Sequence, residues 1–174
     1  MEYLTRYRSP LGGITLASDG EALTALRFED RESPAGTPGP EPGGVRPDVF
    51  DRAIEWLDLY FGGEEPRFTP PLKTQGTTFR KTIWELLLTI PYGRTATYGE
   101  IARTAAAKLG MPRLSAQAVG GAVGHNPIAL IIPCHRVIGA SGSLVGYGGG
   151  LDRKAYLLAL EGVGIDRPQT QLLR

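Results

Sequence analysis

One cysteine among 174 residues removes every disulfide and every multi-cysteine metal site, so the fold must rest on an apolar core. That cysteine stands in the run Ile132-Pro133-Cys134-His135-Arg136-Val137, beside one of only two histidines. It is either an inert buried thiol or a nucleophile, and its neighbours favour the nucleophile. Pro133 fixes the backbone angle entering the cysteine. His135 and Arg136 can supply a base and a positive field that favour thiolate. Adjacent Cys and His side chains are poorly placed to chelate one ion, so zinc is a weak reading.

A hydrophobic fraction of 41% is enough for a real core, in one domain or two small ones. No apolar run approaches the roughly 18 residues that a membrane span needs. The opening Met1-Glu2-Tyr3-Leu4-Thr5-Arg6 has strand-like alternation and no apolar signal core. A free thiol suits a reducing compartment, so a cytoplasmic location is expected.

The net charge of +1 hides a division. Residues 1–70 carry 7 Lys/Arg against 13 Asp/Glu, a net of −6, and residues 71–174 carry 12 against 5, a net of +7. Two modules are therefore expected, 1–70 and 71–174, the second facing a polyanion. The alternative is that the halves neutralise each other.

Tyr3–Tyr7, Gly13–Ser18 and Ala22–Phe28 read as short strands separated by turn signals. Residues 33–47 are rich in Pro and Gly and predict a flexible surface loop. Asp48 can cap a helix through Ile54, Trp56, Leu57 and Tyr60 that stops at Gly62-Gly63, followed by an extended linker over Glu64–Lys73.

The second module reads as helical. Thr77 or Thr78 caps a helix burying Phe79, Ile83, Trp84, Leu87 and Leu88, and Thr97 with Glu100 fits a capping box for the next. After the break Gly110-Met111-Pro112, Ser115 starts a third helix, Ala116-Gln117-Ala118-Val119-Gly120-Gly121-Ala122-Val123. Helix, break, helix is the helix-turn-helix outline. The third helix has almost no bulky side chains, and its two interior glycines cost about 1 kcal/mol each. Either something approaches its backbone closely or it packs tightly against another helix. Gly146-Tyr147-Gly148-Gly149-Gly150 lacks the Gly-Lys-Ser/Thr ending of a phosphate loop. Leu151–Leu160 is a final amphipathic helix ending at Glu161-Gly162.

Tyr98, Asn126-Pro127, Pro133-Cys134-His135-Arg136-Val137, Tyr147-Gly148-Gly149-Gly150 and Glu161-Gly162 together resemble the O6-alkylguanine-DNA alkyltransferase family. The Asn-Pro eight residues upstream of the cysteine makes the short core specific. The likeness is close over about the last 100 residues and only an outline over the first 70. It implies an α+β protein, with a ribonuclease-H-like N-terminal domain and a winged-helix-like, helix-turn-helix C-terminal domain carrying the thiol. It further implies single-turnover transfer of an alkyl group from guanine O6 in double-stranded DNA to Cys134, with O4-alkylthymine as a second candidate substrate. No cofactor and no metal are implied, and the protein is expected to act as a monomer away from membranes.

The resemblance also assigns roles. Cys134 is the nucleophile, in a relay of Glu161, His135, a water and Cys134, and Asn126 holds the cysteine turn. Tyr98 donates to the purine, and the carbonyls of Cys134 and Val137 read its exocyclic amine. Tyr147 and the Gly148 N–H complete the base site. A base must leave the duplex before its O6 can meet a thiol. The DNA contacts fall to the small-residue helix, through Ala116, Gln117, Ala118, Gly120 and Gly121, with Arg113 and Thr97. Where the family carries an arginine to fill the vacated stack, this chain has Gln117, and the segment from Tyr98 to Gln117 is longer than usual. His125 reads as a surface or phosphate-contact residue, and Arg136 as a structural ion-pair partner.

The alternative is a non-enzymatic lesion sensor of the alkyltransferase-like kind, but those proteins lack the nucleophile. A tyrosine-phosphatase loop would need arginine where Ala140 stands, and a cysteine peptidase finds no second Cys–His arrangement.

Overall fold

Alternation over the first thirty residues produces a sheet. The computed structural model describes residues 1–29, 44–144, 147 and 150–164. Most of the loop expected at 33–47 lies outside the described residues, as does Gly148. Strands β1 (Tyr3–Ser9), β2 (Gly12–Ser18) and β3 (Leu23–Phe28) form an antiparallel sheet in that order. The first turn is locked by Ser9, whose hydroxyl donates to the Gly12 carbonyl at 2.6 Å and accepts from the Leu11 N–H at 3.1 Å. In the second, the Asp19 carboxylate accepts from the N–H groups of Glu21 and Ala22, an Asx-type turn.

Helix α1 (Asp48–Phe61) buries Val49, Phe50, Ala53, Trp56, Leu57 and Tyr60, the three-and-four spacing of one helical face. Its N-cap is Pro47, not Asp48. Asp48 sits in the first turn with Asp51, where carboxylates favour the positive end of the helix dipole.

The outer edge of β3 is not left open. Leu23 bridges Leu72, through Leu23 N–H to the Pro71 carbonyl at 2.8 Å and Lys73 N–H to the Leu23 carbonyl at 2.9 Å. Leu26 bridges Ile128, with Leu26 N–H donating to Pro127 and Ala129 N–H donating to Leu26, both at 3.0 Å. The first compact unit is thus Met1–Thr74 with Pro127–Ala129, and the second is Gln75–Asn126 with Leu130–Arg174. Two short bridges cover an edge that would otherwise invite another strand.

In the second unit, α2 (Thr78–Leu87) is capped by Thr77, whose side chain accepts from Arg80 N–H. It buries Ile83, Trp84, Leu86 and Leu87, while Leu88 is 44% exposed, not buried as its spacing suggested. Leu88 is the C-cap, where the helical face ends. Helix α3 (Tyr98–Leu109) starts on the expected Thr97/Glu100 capping box and ends at Gly110, whose φ of 64° is the left-handed conformation that glycine adopts without strain. Helix α4 (Ala116–Gly124) is capped by Ser115. The two-residue strands β4 (Ala96–Thr97) and β5 (Val137–Ile138) pair in parallel. Helix α5 (Leu151–Leu160) closes the described fold.

Candidate active site

The cysteine sits on a backbone that turns twice. Pro133, at φ −81° and ψ 67°, is the centre of an inverse γ-turn, in which Cys134 N–H donates to the Ile132 carbonyl at 2.8 Å. A single 3₁₀ turn, Cys134–Arg136, follows and runs into β5. Asn126 Nδ2 also donates to the Ile132 carbonyl, at 2.7 Å, and hydrogen-bonds the Cys134 side chain. One amide therefore ties together the residue before the proline and the residue after it.

His135 is wholly buried, and its Nε2 lies 2.5 Å from a Glu161 carboxylate oxygen. The other oxygen of Glu161 accepts from Arg136 Nε at 2.7 Å and from Gly93 N–H at 3.0 Å. Burial raises the Glu161 carboxyl, but its bonds to His135 and Arg136 outweigh that and bring it down to about 2. Burial pulls His135 below the ordinary imidazole value, against the pull of Glu161. The resting state is an ionised Glu161 beside a neutral His135, because Arg136 and Gly93 hold the carboxylate independently of the histidine. Nε2–H then donates to Glu161, leaving Nδ1 as the acceptor nitrogen.

Arg136 makes the structural ion pair. Besides Glu161 it donates to the Ile90 carbonyl at 2.8 Å and lies 5.7 Å from the Tyr92 ring centroid. The positive field expected from it at the cysteine comes instead from Lys154, on α5. Burial pushes the Cys134 thiol up, while the Asn126 hydrogen bond and the Lys154 charge oppose that rise. Lys154 is a buried charge in this unit that the sequence reading missed. Its signal was a lysine on the apolar face of α5, two turns before Glu161 and in line with Leu157 and Leu158.

The remaining candidates fall into two groups. Near the thiol, Tyr98 opens α3, and its hydroxyl is raised by burial and then by Cys134. The Tyr147 hydroxyl is buried without a hydrogen-bond partner among the described residues, and burial followed by Cys134 raises it strongly. The Val137 carbonyl accepts from Lys154 Nζ at 2.5 Å and the Cys134 carbonyl from Val137 N–H, so each retains one lone pair.

The second group lies along α4. Val119, Ala122 and Val123 face the core, where Trp84 Nε1–H donates to the Ala122 carbonyl at 2.9 Å. Ala116, Gln117, Ala118 and Gly121 are exposed. A Cβ built on Gly121 or Gly124 meets nothing within 4 Å, whereas one on Gly120 meets the Tyr98 ring at 3.9 Å. Internal packing therefore does not explain Gly121 or Gly124. Arg113 and Arg103 line a cavity of about 390 Å³ shared with Ala102, Ala106, Met111 and Ala116. The Thr97 hydroxyl oxygen is engaged as the α3 cap, leaving its O–H as the group it can offer. His125 is exposed, with Nδ1–H donating to the Gly121 carbonyl at 2.7 Å.

The second unit thus holds a buried thiol next in the chain to a buried Glu–His pair, together with an exposed helix of small residues. Comparison with known proteins is specific. Residues 3–74 match the ribonuclease-like domain of 6-O-methylguanine DNA methyltransferase, and residues 78–163 match its DNA-binding domain. The methylated-DNA–protein-cysteine methyltransferase of Mycobacterium tuberculosis is 51% identical over 155 residues, 88% of each chain. That of Methanosarcina acetivorans is 44% identical over 160 residues, 92% of this chain and 98% of its own. Among solved structures, M. tuberculosis OGT in complex with DNA superposes with a TM-score of 0.74 at 49% identity over 90% of each chain. The chain belongs to the 6-O-methylguanine DNA methyltransferase family.

Proposed function

We propose that this protein repairs DNA directly, by moving the alkyl group of O6-alkylguanine onto Cys134. The carrying observation is the Glu161–His135 pair beside the single thiol, in a chain of this family. Sγ of the thiolate attacks the alkyl carbon in line with the C–O6 bond. As the S–C bond forms, the C–O6 pair leaves with the guanine, which takes up a proton.

His135 accepts the thiol proton at Nδ1, through a bridging water, and Glu161 stabilises the imidazolium that results, as a carboxylate does in a hydrolase triad. Asn126 keeps the turn rigid, and Tyr98 donates to the departing purine. The spare lone pairs of the Cys134 and Val137 carbonyls read the exocyclic amine, with the Tyr147 hydroxyl nearby. Because a thioether is stable and no described side chain is placed to cleave it, each molecule acts once.

The flipped base is reached from α4. Its exposed Ala116, Ala118 and Gly121 let a groove wall come close, Gln117 occupies the vacated stack, and Arg113 and Thr97 meet phosphates. DNA binding and alkyl acceptance both belong to residues 71–174, and one chain supplies the whole relay, so a monomer suffices. Among the described residues no helix is long and apolar enough to cross a membrane. A thiol that must stay reduced supports a cytoplasmic location.

The test is intact mass after incubation with O6-methylguanine duplex. One added methyl on the Cys134 peptide is expected. An unmodified, folded and reduced protein under excess substrate would move the assignment to the lesion sensor.

A further inference from the structure

From Ile101 to Leu151 the chain contains no aspartate and no glutamate, yet it carries Arg103, Lys108, Arg113 and Arg136. Two of these cations are answered within the protein. Arg136 is paired with the buried Glu161, and Lys108 stands in the last turn of α3, at the negative end of the helix dipole. Arg103 and Arg113 are exposed, and neither guanidinium makes an ion pair or hydrogen bond among the described residues. The acid nearest to them in sequence, Glu100, is committed to the α3 capping box, accepting from Thr97 N–H at 2.9 Å.

Both arginines line the cavity of about 390 Å³ formed by α3 and the turn that leads to α4, and no carboxylate lines it with them. On α3, Ala102, Arg103 and Ala106 are neighbours at three-and-four spacing, so small side chains leave the recess open beside the arginine. The turn is fixed at both ends. Met111 N–H donates to the Ala106 carbonyl at 2.9 Å where α3 stops, and Ser115 caps the start of α4. Arg113 lies between these two anchors. Ala116, the first residue of α4, also lines the cavity, so the recess is continuous with the exposed start of that helix. Two like charges facing one recess repel each other, and an anion between them converts that repulsion into two attractions. A phosphodiester suits the arrangement best. A planar guanidinium pairs with phosphate through two parallel hydrogen bonds, and the recess opens onto the helix that meets DNA in the proposed function.

We propose that this recess is a phosphate clamp: Arg103 from α3 and Arg113 from the turn hold one backbone phosphate of the strand lying along the start of α4, so that the DNA interface extends from α4 onto α3. This rests on the reading that α4 meets DNA. It adds Arg103 to the interface and gives Arg113 a target shared with it. The contact is independent of base sequence, because a backbone phosphate positions a protein without reading bases.

The experiment measures duplex affinity against salt for full-length wild type, for a neutral double variant (Arg103→Gln with Arg113→Gln) and for a charge-keeping one (Arg103→Lys with Arg113→Lys). The neutral variant should bind about tenfold more weakly at physiological salt, the lower range for charge-assisted hydrogen bonds, and its log–log salt slope should flatten by about one, the share of one phosphate. The charge-keeping variant should retain the wild-type slope, since a point charge still displaces a counter-ion. Both side chains are exposed, so the thermal midpoint should stay near wild type and confirm folding.

Methylphosphonate scanning then finds the phosphate. Neutralising backbone positions of the duplex one at a time should reveal one whose loss costs wild type about tenfold and costs the neutral variant almost nothing. A folded neutral variant with wild-type affinity and slope would overturn the clamp. So would a weakened neutral variant that responds to every methylphosphonate as wild type does, because the arginines would then supply only a general field. Ala118→Glu tests the underlying reading separately, by placing a carboxylate on the exposed face of α4. Duplex affinity should fall; if it stays at the wild-type level, α4 is not the interface and the clamp falls with it.

Discussion

In the first unit the ion pairs stand at the surface: Arg6 grips Glu29 with both arms, and Lys73 meets Asp19 at 2.9 Å. Its buried side chains are Ile14, Leu16, Leu26, Phe50, Leu57 and their like, with Ser9 and Ser18 as the buried polar residues described there. In the second unit the charges go inside. His135, Arg136, Lys154 and Glu161 are all buried. Surface pairs contribute little because water screens them, whereas buried pairs carry a desolvation cost that Coulomb attraction only partly offsets. The first unit keeps these ion pairs in water. The second buries charge in the same unit that carries the single thiol.

The sharpest break of this contrast is Cys134→Ser. Transfer from O6-methylguanine duplex should vanish, as read by intact mass, while the thermal midpoint and duplex binding stay near wild type. Loss of binding together with transfer would make the cysteine a packing residue.

Next is Glu161→Gln, which strands the buried Arg136. Unfolding free energy in urea should drop by roughly 3 kcal/mol, the range for removing one partner of a buried pair. Transfer should slow as well, because the imidazolium loses its support. The pH dependence sharpens the test. A carboxyl held at about 2 when folded, against its ordinary 4.5, contributes stability that is complete above 4.5 and lost as pH falls through 2. That acid limb should flatten in Glu161→Gln. An unaltered limb would put Glu161 outside the network.

A smaller effect is expected from Gln117→Arg. Restoring a cation on exposed α4 should tighten duplex binding by at most roughly 1.5–3 kcal/mol, the worth of one charge-assisted hydrogen bond, and speed duplex repair. The rate with free O6-benzylguanine should stay the same, since a free base needs no flipping. Equal acceleration of both would remove Gln117 from the vacated stack.

The smallest effect belongs to the first unit. Arg6→Gln should leave the urea midpoint indistinguishable from wild type, because the pair it breaks is exposed. A clear loss would show that surface charge carries more of this sheet than its core does.

Much of this was legible where the chemistry is local. Thr77, Thr97 with Glu100, and Ser115 announced three helix starts because an N-cap needs only a side-chain oxygen and the next three residues. Asp48 misled because an acidic residue suits both the cap and the first turn, and Pro47 took the cap. The bridges from Leu72 and Ile128 to β3 could not be read, since a one-residue pairing leaves no periodicity. At the site, the turn around Cys134 is written in adjacent residues. Lys154 was hidden because a helix repeat tolerates one lysine on an apolar face, and only three-dimensional neighbours reveal that its head group stays inside.

The two tryptophans of the chain are Trp56 in α1 and Trp84 in α2, one in each unit and both buried. The hydrogen bond from Trp84 to Ala122 makes its indole an optical gauge of α4, the helix that meets DNA in the proposed function. With Trp56→Phe, Trp84 becomes the sole indole emitter, and a duplex titration can be followed by its wavelength and intensity without any label. The reciprocal Trp84→Phe leaves a lamp in the first unit only. Denaturant melts of the two single-emitter proteins, overlaid, report whether the halves lose their structure in one cooperative step or in two.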